Sequence, residues 1–294
     1  MQRRKQIILF FILIAVLCAA LFEISENPLI ASLVIVFSTA ILTFIFNFIT
    51  KEYSWTDRLW STLPIFIAWL YYFKNKNEVL LITAILITVW GFRLTFNFSR
   101  KGGFSEKEDY RWAYLRKKLG SKVVWQLFSL FFIAFYQQIL FVGFTLPLYL
   151  ISTNVFLSPL TFVFSGVAIL FLLLETVADQ QQWVFQESKY GKLQKKEKFS
   201  KEYVQGFRTS GLFSISRHPN YLGELGFWWS IYFLCSSTVG AIVNFTVIGP
   251  ILLTLLFVGS VSFTEKISSE KYKDYDWYKS QVSAVFPLFW KRLK

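Results

Sequence analysis

Between Ser210 and Trp229 the chain reads SGLFSISRHPNYLGELGFWW, a basic turn and a proline at the mouth of an apolar segment that also carries an acid. Pro219 has no amide hydrogen, so it suits the first position of a helix, where that donor would go unpaired. Arg217 and His218 then fall in the entry turn, and the proline pushes His218 toward extended backbone. Asn220, Tyr221, Glu224 and Trp228 recur at offsets of three, four and seven, which places them on one helical face. Leu222, Leu225 and Phe227 point to other sides. A carboxylate held in an apolar helix is costly and marks a functional position by default.

The same arithmetic finds further polar stripes. Glu175, Asp179, Gln182 and Gln186 share a face where an apolar run ends. There they could cap the membrane interface or line a cavity, and the spacing alone leaves both readings open. Trp90, Arg93, Asn97 and Arg100 form another stripe, with Arg93 a full turn inside its apolar run and in need of an anionic partner. Asp57 and Arg58 precede Trp60 and Pro64 at a membrane edge. Interhelical hydrogen bonding is enough to explain Gln137 and Gln138. Acids and amides that approach one leaflet from several helices predict a pocket open to the cytoplasm, able to hold an anionic cofactor beside an apolar substrate.

The elements that must position these residues are membrane spans. Hydrophobic residues make up 54% of the 294, aromatics 20% and charged residues 17%, against roughly 25% charged in soluble domains. Apolar runs of a length that can cross a bilayer occur at Ile7–Phe22, Leu29–Ile49, Leu59–Phe73, Val79–Phe98, Val123–Ile151, Phe156–Ala178, Tyr221–Cys235 and Ala241–Phe263. They predict an all-α, polytopic transmembrane helical bundle of about eight spans, within a range of seven to ten. Arg3, Arg4 and Lys5 precede the first run, which lacks a convincing cleavage site and is read as a retained span.

The net charge of +13 is unevenly placed. Basic residues gather at the N-terminus, in Arg100–Lys122, in Lys189–Arg208 and after Glu265, while Glu23–Pro28, Ser152–Asn154 and Ser236–Gly240 have none; Lys74 and Lys76 are the exception. This alternation fits the positive-inside rule with both termini in the cytoplasm, and it makes nucleic acid an unneeded explanation. A basic cytoplasmic rim would also attract a phosphorylated cofactor. Cys18 and Cys235 lie in apolar runs without metal or pairing spacing and read as small hydrophobes. One histidine and no Cys/His cluster argue against a protein-held transition metal. No soluble-type GxGxxG or P-loop occurs.

GLFSISRHPNYLGE, Gly211 to Glu224, resembles the signature of bacterial steroid 5-alpha-reductase-like membrane proteins. It is similar more distantly to a helix of steroid 5-alpha-reductases, sterol reductases and isoprenylcysteine carboxyl methyltransferases. Asp57-Arg58-Leu59-Trp60 with Pro64, Trp90-Gly91-Phe92-Arg93-Leu94, Glu108 to Trp112, Ala178-Asp179-Gln180 and Tyr275 through Pro287 follow in that family's order. The resemblance implies a single integral membrane domain over 1–294, with N-terminal spans to 98 and a reductase-like core from 99 to 294. The expected activity is transfer of a hydride from NADPH to a conjugated carbon–carbon double bond of a lipid or steroid-like substrate.

Within that resemblance, Asn220 and Glu224 match residues that hold the nicotinamide end of NADPH, with Tyr221 beside them, and Asp179 matches an aspartate that holds the rest. Arg208, Arg217 and His218 would be phosphate partners, and Tyr275 and Tyr278 match tyrosines near the dinucleotide. Asp57 is the nearest early acid, and Trp90 stands where steroid reductases place a tyrosine. These two are the catalytic candidates, the indole able to donate a hydrogen bond but not to protonate. The resemblance implies a bacterial inner-membrane protein with its cofactor site toward the cytoplasm. Its expected partners are the lipid bilayer and a hydrophobic small molecule, with neither nucleic acid nor a protein among them. Two other readings compete. One is an S-adenosylmethionine-dependent membrane methyltransferase, resting on RHPNY with Glu265, Tyr272, Tyr275 and Tyr278. The other is a non-catalytic lipid-binding or scaffold protein.

Overall fold

The computed structural model describes residues 2–105, 108–153, 155–288, 291 and 293. Among them every regular element is a helix. Six described helices are long and apolar enough to cross a bilayer: Arg3–Leu21, Pro28–Thr50, Glu78–Arg100, Lys122–Leu150, Pro159–Lys189 and Phe245–Lys271. The chain is therefore an all-helical, polytopic membrane protein. Two of the eight expected runs fall outside this set. Leu59–Phe73 yields a 13-residue helix, Leu63–Asn75, which at about 1.5 Å per residue falls short of a hydrocarbon core of about 30 Å. Tyr221–Cys235 lies in the 20-residue helix Pro219–Thr238, which is long enough but is diluted by glycines, serines, indoles and Glu224.

The chain divides into two compact units, Met1–Ser165 with Ile231–Gly249, and Gly166–Ser230 with Pro250–Lys294.

In the first unit, side chains close the helix ends. Asn27 caps Pro28–Thr50 by accepting from Leu29 N at 2.9 Å, with Pro28 in the first turn. Asn77 caps Glu78–Arg100 through Leu80 N at 2.8 Å, and its amide also donates to Ile151 O at 2.7 Å. Gln138 bridges two threonines of another helix: Thr39 donates to its Oε1 at 2.6 Å, and its Nε2 donates to Thr43 at 2.9 Å. That is the interhelical glue its position predicted. The fifth run contains a π-helical stretch, Ser129–Tyr136. There the Thr56 hydroxyl donates to Ile133 O at 2.8 Å, so a side chain from elsewhere engages the altered ladder. At Gly249 a Cβ would collide with the backbone of Gly143, so these two helices touch backbone to backbone.

In the second unit the Pro219–Thr238 helix packs directly on Pro159–Lys189. A Cβ at Gly223 would lie 2.5 Å from Glu175 Cβ and 2.9 Å from its Cα, and one at Gly226 would strike the Phe171 ring. Two glycines three apart thus set how closely the site helix approaches the Glu175–Asp179 stripe.

Candidate functional site

The entry turn of the site helix is tied down by long-range bonds. Arg217 N donates to Ser283 O at 2.9 Å and His218 N to Ala284 O at 3.0 Å. The Arg217 guanidinium grips Glu265 with two parallel bonds, Nε to Oε1 at 2.6 Å and Nη2 to Oε2 at 3.0 Å. Its Nη1 donates to Lys279 O at 3.0 Å and also to Val282 O. His218 Nε2 lies 3.1 Å from Glu265 Oε1. This pairing explains why a carboxylate and a guanidinium can both be largely buried here: each charge is met in fork geometry. The His218 ring stacks on Tyr221 at 5.1 Å, and Tyr221 meets Phe257 edge-on at 4.8 Å.

One turn further in, the polar groups are arranged differently. Glu224 is 4% exposed and accepts the Trp228 indole N–H at 3.1 Å, the i, i+4 contact that the spacing predicted. Asn220 is half-buried, and its side-chain amide has no hydrogen-bond partner among the described residues, nor has the Tyr221 hydroxyl. Asp179 and Glu175 are buried on the facing helix. Of the two readings open for that stripe, burial favours an inward-facing one.

The remaining predicted residues of the second unit are built into its own scaffold. Arg208 donates from Nη1 to Gln181 O at 2.9 Å and from Nε to Ser210 O at 3.2 Å, and it stacks 4.8 Å over Phe199. Burial lowers its pKa. Tyr278 and Tyr275 are core residues packed with Phe207 and Val282. The Tyr278 hydroxyl donates to Phe213 O, and burial raises its pKa. As placed, Arg217, His218 and Arg208 spend donors on protein acceptors that the phosphate expectation would have them offer to a ligand.

Asp57 and Trp90 belong to the first unit. Trp90 is fully buried in Glu78–Arg100. Asp57 is half-buried and accepts the Trp112 indole N–H at 2.9 Å. Burial, followed by the charge of Asp109, pushes its pKa up to about 6. The carboxyl can therefore exchange a proton close to neutrality.

Two residues matter more than their letters indicated. Glu265 anchors the entry turn, a structural role that its place in the methyltransferase reading did not announce. Glu202 is buried and takes both the N–H and the hydroxyl of Thr209, at 2.9 and 3.0 Å. It sits in a lysine-rich stretch that reads as plain loop. Beside Glu265 lies an open cavity of about 540 Å3 lined by Lys266, Ser269, Glu270, Asp276 and Lys279. With Glu265, which also lines it, the cavity has three carboxylates against two lysines, a poor cradle for phosphate.

A family model described as a protein of unknown function (DUF1295) matches residues 43–283. A Schizosaccharomyces pombe protein described as uncharacterised is 32% identical over 288 residues, covering 90% of this chain and 81% of its own length. No solved structure matches. The family match takes in every predicted site residue from Asp57 to Tyr278 and most of the chain, so this protein belongs to the DUF1295 family.

Proposed function

We propose that the protein is a membrane-embedded reductase of the steroid 5-alpha-reductase-like kind, using NADPH to reduce a conjugated carbon–carbon double bond of a lipid-like substrate. The observation that carries this reading is the pair Asn220 and Glu224. A buried carboxylate fixed by Trp228 stands one turn from an amide with no protein partner among the described residues. That donor set suits a carboxamide, whose N–H groups need an acceptor and whose oxygen needs a donor. Glu224 would accept the N–H, Asn220 would donate to the oxygen, and Asp179 on the facing helix would hold a neighbouring part of the cofactor. Bound NADPH would supply a hydride. Burial of Glu224 keeps water from competing for the carboxylate and strengthens each bond it makes.

The residues fit the cofactor at its carboxamide end. At the phosphate end, Arg217 and His218 serve better as positioning residues, since they fix the turn from which Asn220 and Glu224 project. The reading carries with it a site facing the cytoplasm and, through the resemblance, a bacterial inner membrane.

Methyl transfer from S-adenosylmethionine keeps one specific support: Glu265, the acid that reading requires, is tied to the RHP motif by Arg217 and His218. The test is thermal stability of detergent-purified protein with NADPH, NADH and S-adenosylmethionine. A ligand that binds only the folded state raises the melting temperature by mass action. The reductase reading expects a rise with NADPH. A rise with S-adenosylmethionine alone would replace it with methyl transfer, and no rise with any of the three would favour a scaffold.

A further inference from the structure

The turn that follows the Pro219–Thr238 helix is apolar outside and hydrogen-bonded to itself inside. No residue from Leu225 to Thr264 is charged. After Thr238 the chain folds back onto the last turn of the helix it has just left. Ala241 N donates to Ser236 O at 3.0 Å, and the Asn244 amide donates to Ser236 Oγ at 2.9 Å and to Ala241 O at 2.8 Å. The hydroxyl of the buried Tyr232 donates to Ile242 O at 2.7 Å. Asn244 Oδ1 accepts from Thr246 N at 3.0 Å and from the Thr246 hydroxyl at 2.6 Å. Neighbouring groups thus take up polar atoms that a turn in water would leave to solvent. That is what non-helical backbone needs near lipid.

Outward, the same turn shows Ile242, Val243 and Phe245, which are 61%, 86% and 60% exposed. Exposed apolar groups gathered in this way mark a contact with protein or membrane, and two observations select the membrane. First, the patch is continuous with a lipid-facing helix. Phe245 is both its last residue and the first residue of the crossing helix Phe245–Lys271, whose Ile248, one turn on, is also exposed. Second, the turn stands within the depth of a neighbouring span. Gly249 meets Gly143 backbone to backbone, and Gly143 lies about 10 Å inside the Leu150 end of the span Lys122–Leu150. Phe245, one turn from Gly249, is still inside that end.

We propose that the turn Gly240–Phe245 lies inside the bilayer, at the boundary between headgroups and acyl chains, with Ile242, Val243 and Phe245 seated among the acyl chains. Acyl chains ask for neither charge nor hydrogen bond, and these three side chains offer neither. The inference does not rest on the reductase reading, since none of these residues is assigned to the cofactor.

The test places a nitroxide label at Val243→Cys and, separately, at Phe245→Cys in the full-length protein, reconstituted in phosphatidylcholine vesicles. Lys118→Cys, exposed in the basic segment, is the water-side reference. Cys18 and Cys235 are buried, and the unsubstituted protein taken through the same labelling is the blank. Val243 and Phe245 are largely exposed, so the fold has room for the label at either position. Electron paramagnetic resonance then reads collisions with oxygen, which concentrates among acyl chains, and with a water-soluble nickel chelate. At 243 and 245 nickel collisions should be several-fold fewer than at 118, and oxygen collisions more frequent. Nickel collisions as frequent as at 118 would put the turn in water and overturn the proposal. Protection from both probes would put it against protein, a second copy of the chain included, and would overturn it equally.

Discussion

The first two turns of the Pro219–Thr238 helix and the entry turn just before it are contiguous in sequence, yet they are built on opposite terms. At the entry, Arg217 directs its guanidinium to Glu265, Lys279 O and Val282 O, and His218 joins it on the same carboxylate. Further in, Asn220 and Tyr221 present an amide and a hydroxyl that no described residue binds, and Glu224 accepts an indole N–H from Trp228 of its own helix. The contrast separates two jobs within one motif. Arg217 and His218 hold the turn in place by long-range bonds, and Asn220, Tyr221 and Glu224 are what the turn presents.

The sharpest way to break this comparison is to cut the clamp. Arg217→Met leaves Glu265 buried without its fork partner, which should cost on the order of 3–5 kcal/mol. The loss should appear as a large drop in melting temperature without any ligand. If Arg217→Met melted like wild type but bound NADPH more weakly, Arg217 would belong with the ligand-binding group instead. Next in size, Gly223→Ala pushes a methyl against the Glu175 backbone and should destabilise by about 1–3 kcal/mol. A neutral Gly223→Ala, read by the same melt, would show that the two helices can separate at no cost.

A pH series tests the first unit. Asp57 has its folded pKa raised from 3.8 to about 6, so between those values the folded state binds more protons than the unfolded one. Stability attributable to Asp57 therefore falls as pH rises through that window. Asp57→Asn should be more stable than wild type above pH 6, with the difference vanishing as the pH approaches 4. Melting curves of the pair at several pH values would show it, and a pH-independent difference would contradict the assigned shift. The smallest stability effect belongs to Glu224→Gln. The amide oxygen still accepts from Trp228, so the fold should hold while NADPH affinity falls by roughly tenfold, as expected for a hydrogen bond to a charged group.

Much of the architecture was legible because burial in lipid demands long apolar helices. The six that satisfy length and composition were all visible as runs. Leu63–Asn75 was overcounted because an apolar run reports composition, whereas Pro64 at its start and Asn75 at its end fix the helical length. The π-helical stretch at Ser129–Tyr136 leaves no mark in a continuous apolar sequence. For the candidate site, local periodicity worked. Glu224 and Trp228 meet as their spacing required, and Glu175 and Asp179 are both buried. Pairings across long separations were not legible. Glu265 lies 48 residues from Arg217, and nothing local in either residue names the other. A guanidinium such as that of Arg217 can be met by a carboxylate of its own chain as well as by a phosphate, and its letter does not say which.

The most direct test of the central claim is NADPH binding to the wild-type protein beside Asn220→Leu and Glu224→Gln, followed by nicotinamide fluorescence in detergent, with unliganded melting temperatures measured in parallel. The account predicts saturable binding to wild type and weaker binding to both variants, at melting temperatures close to wild type. Binding that is the same in all three proteins would contradict it, since the carboxamide would then be held elsewhere.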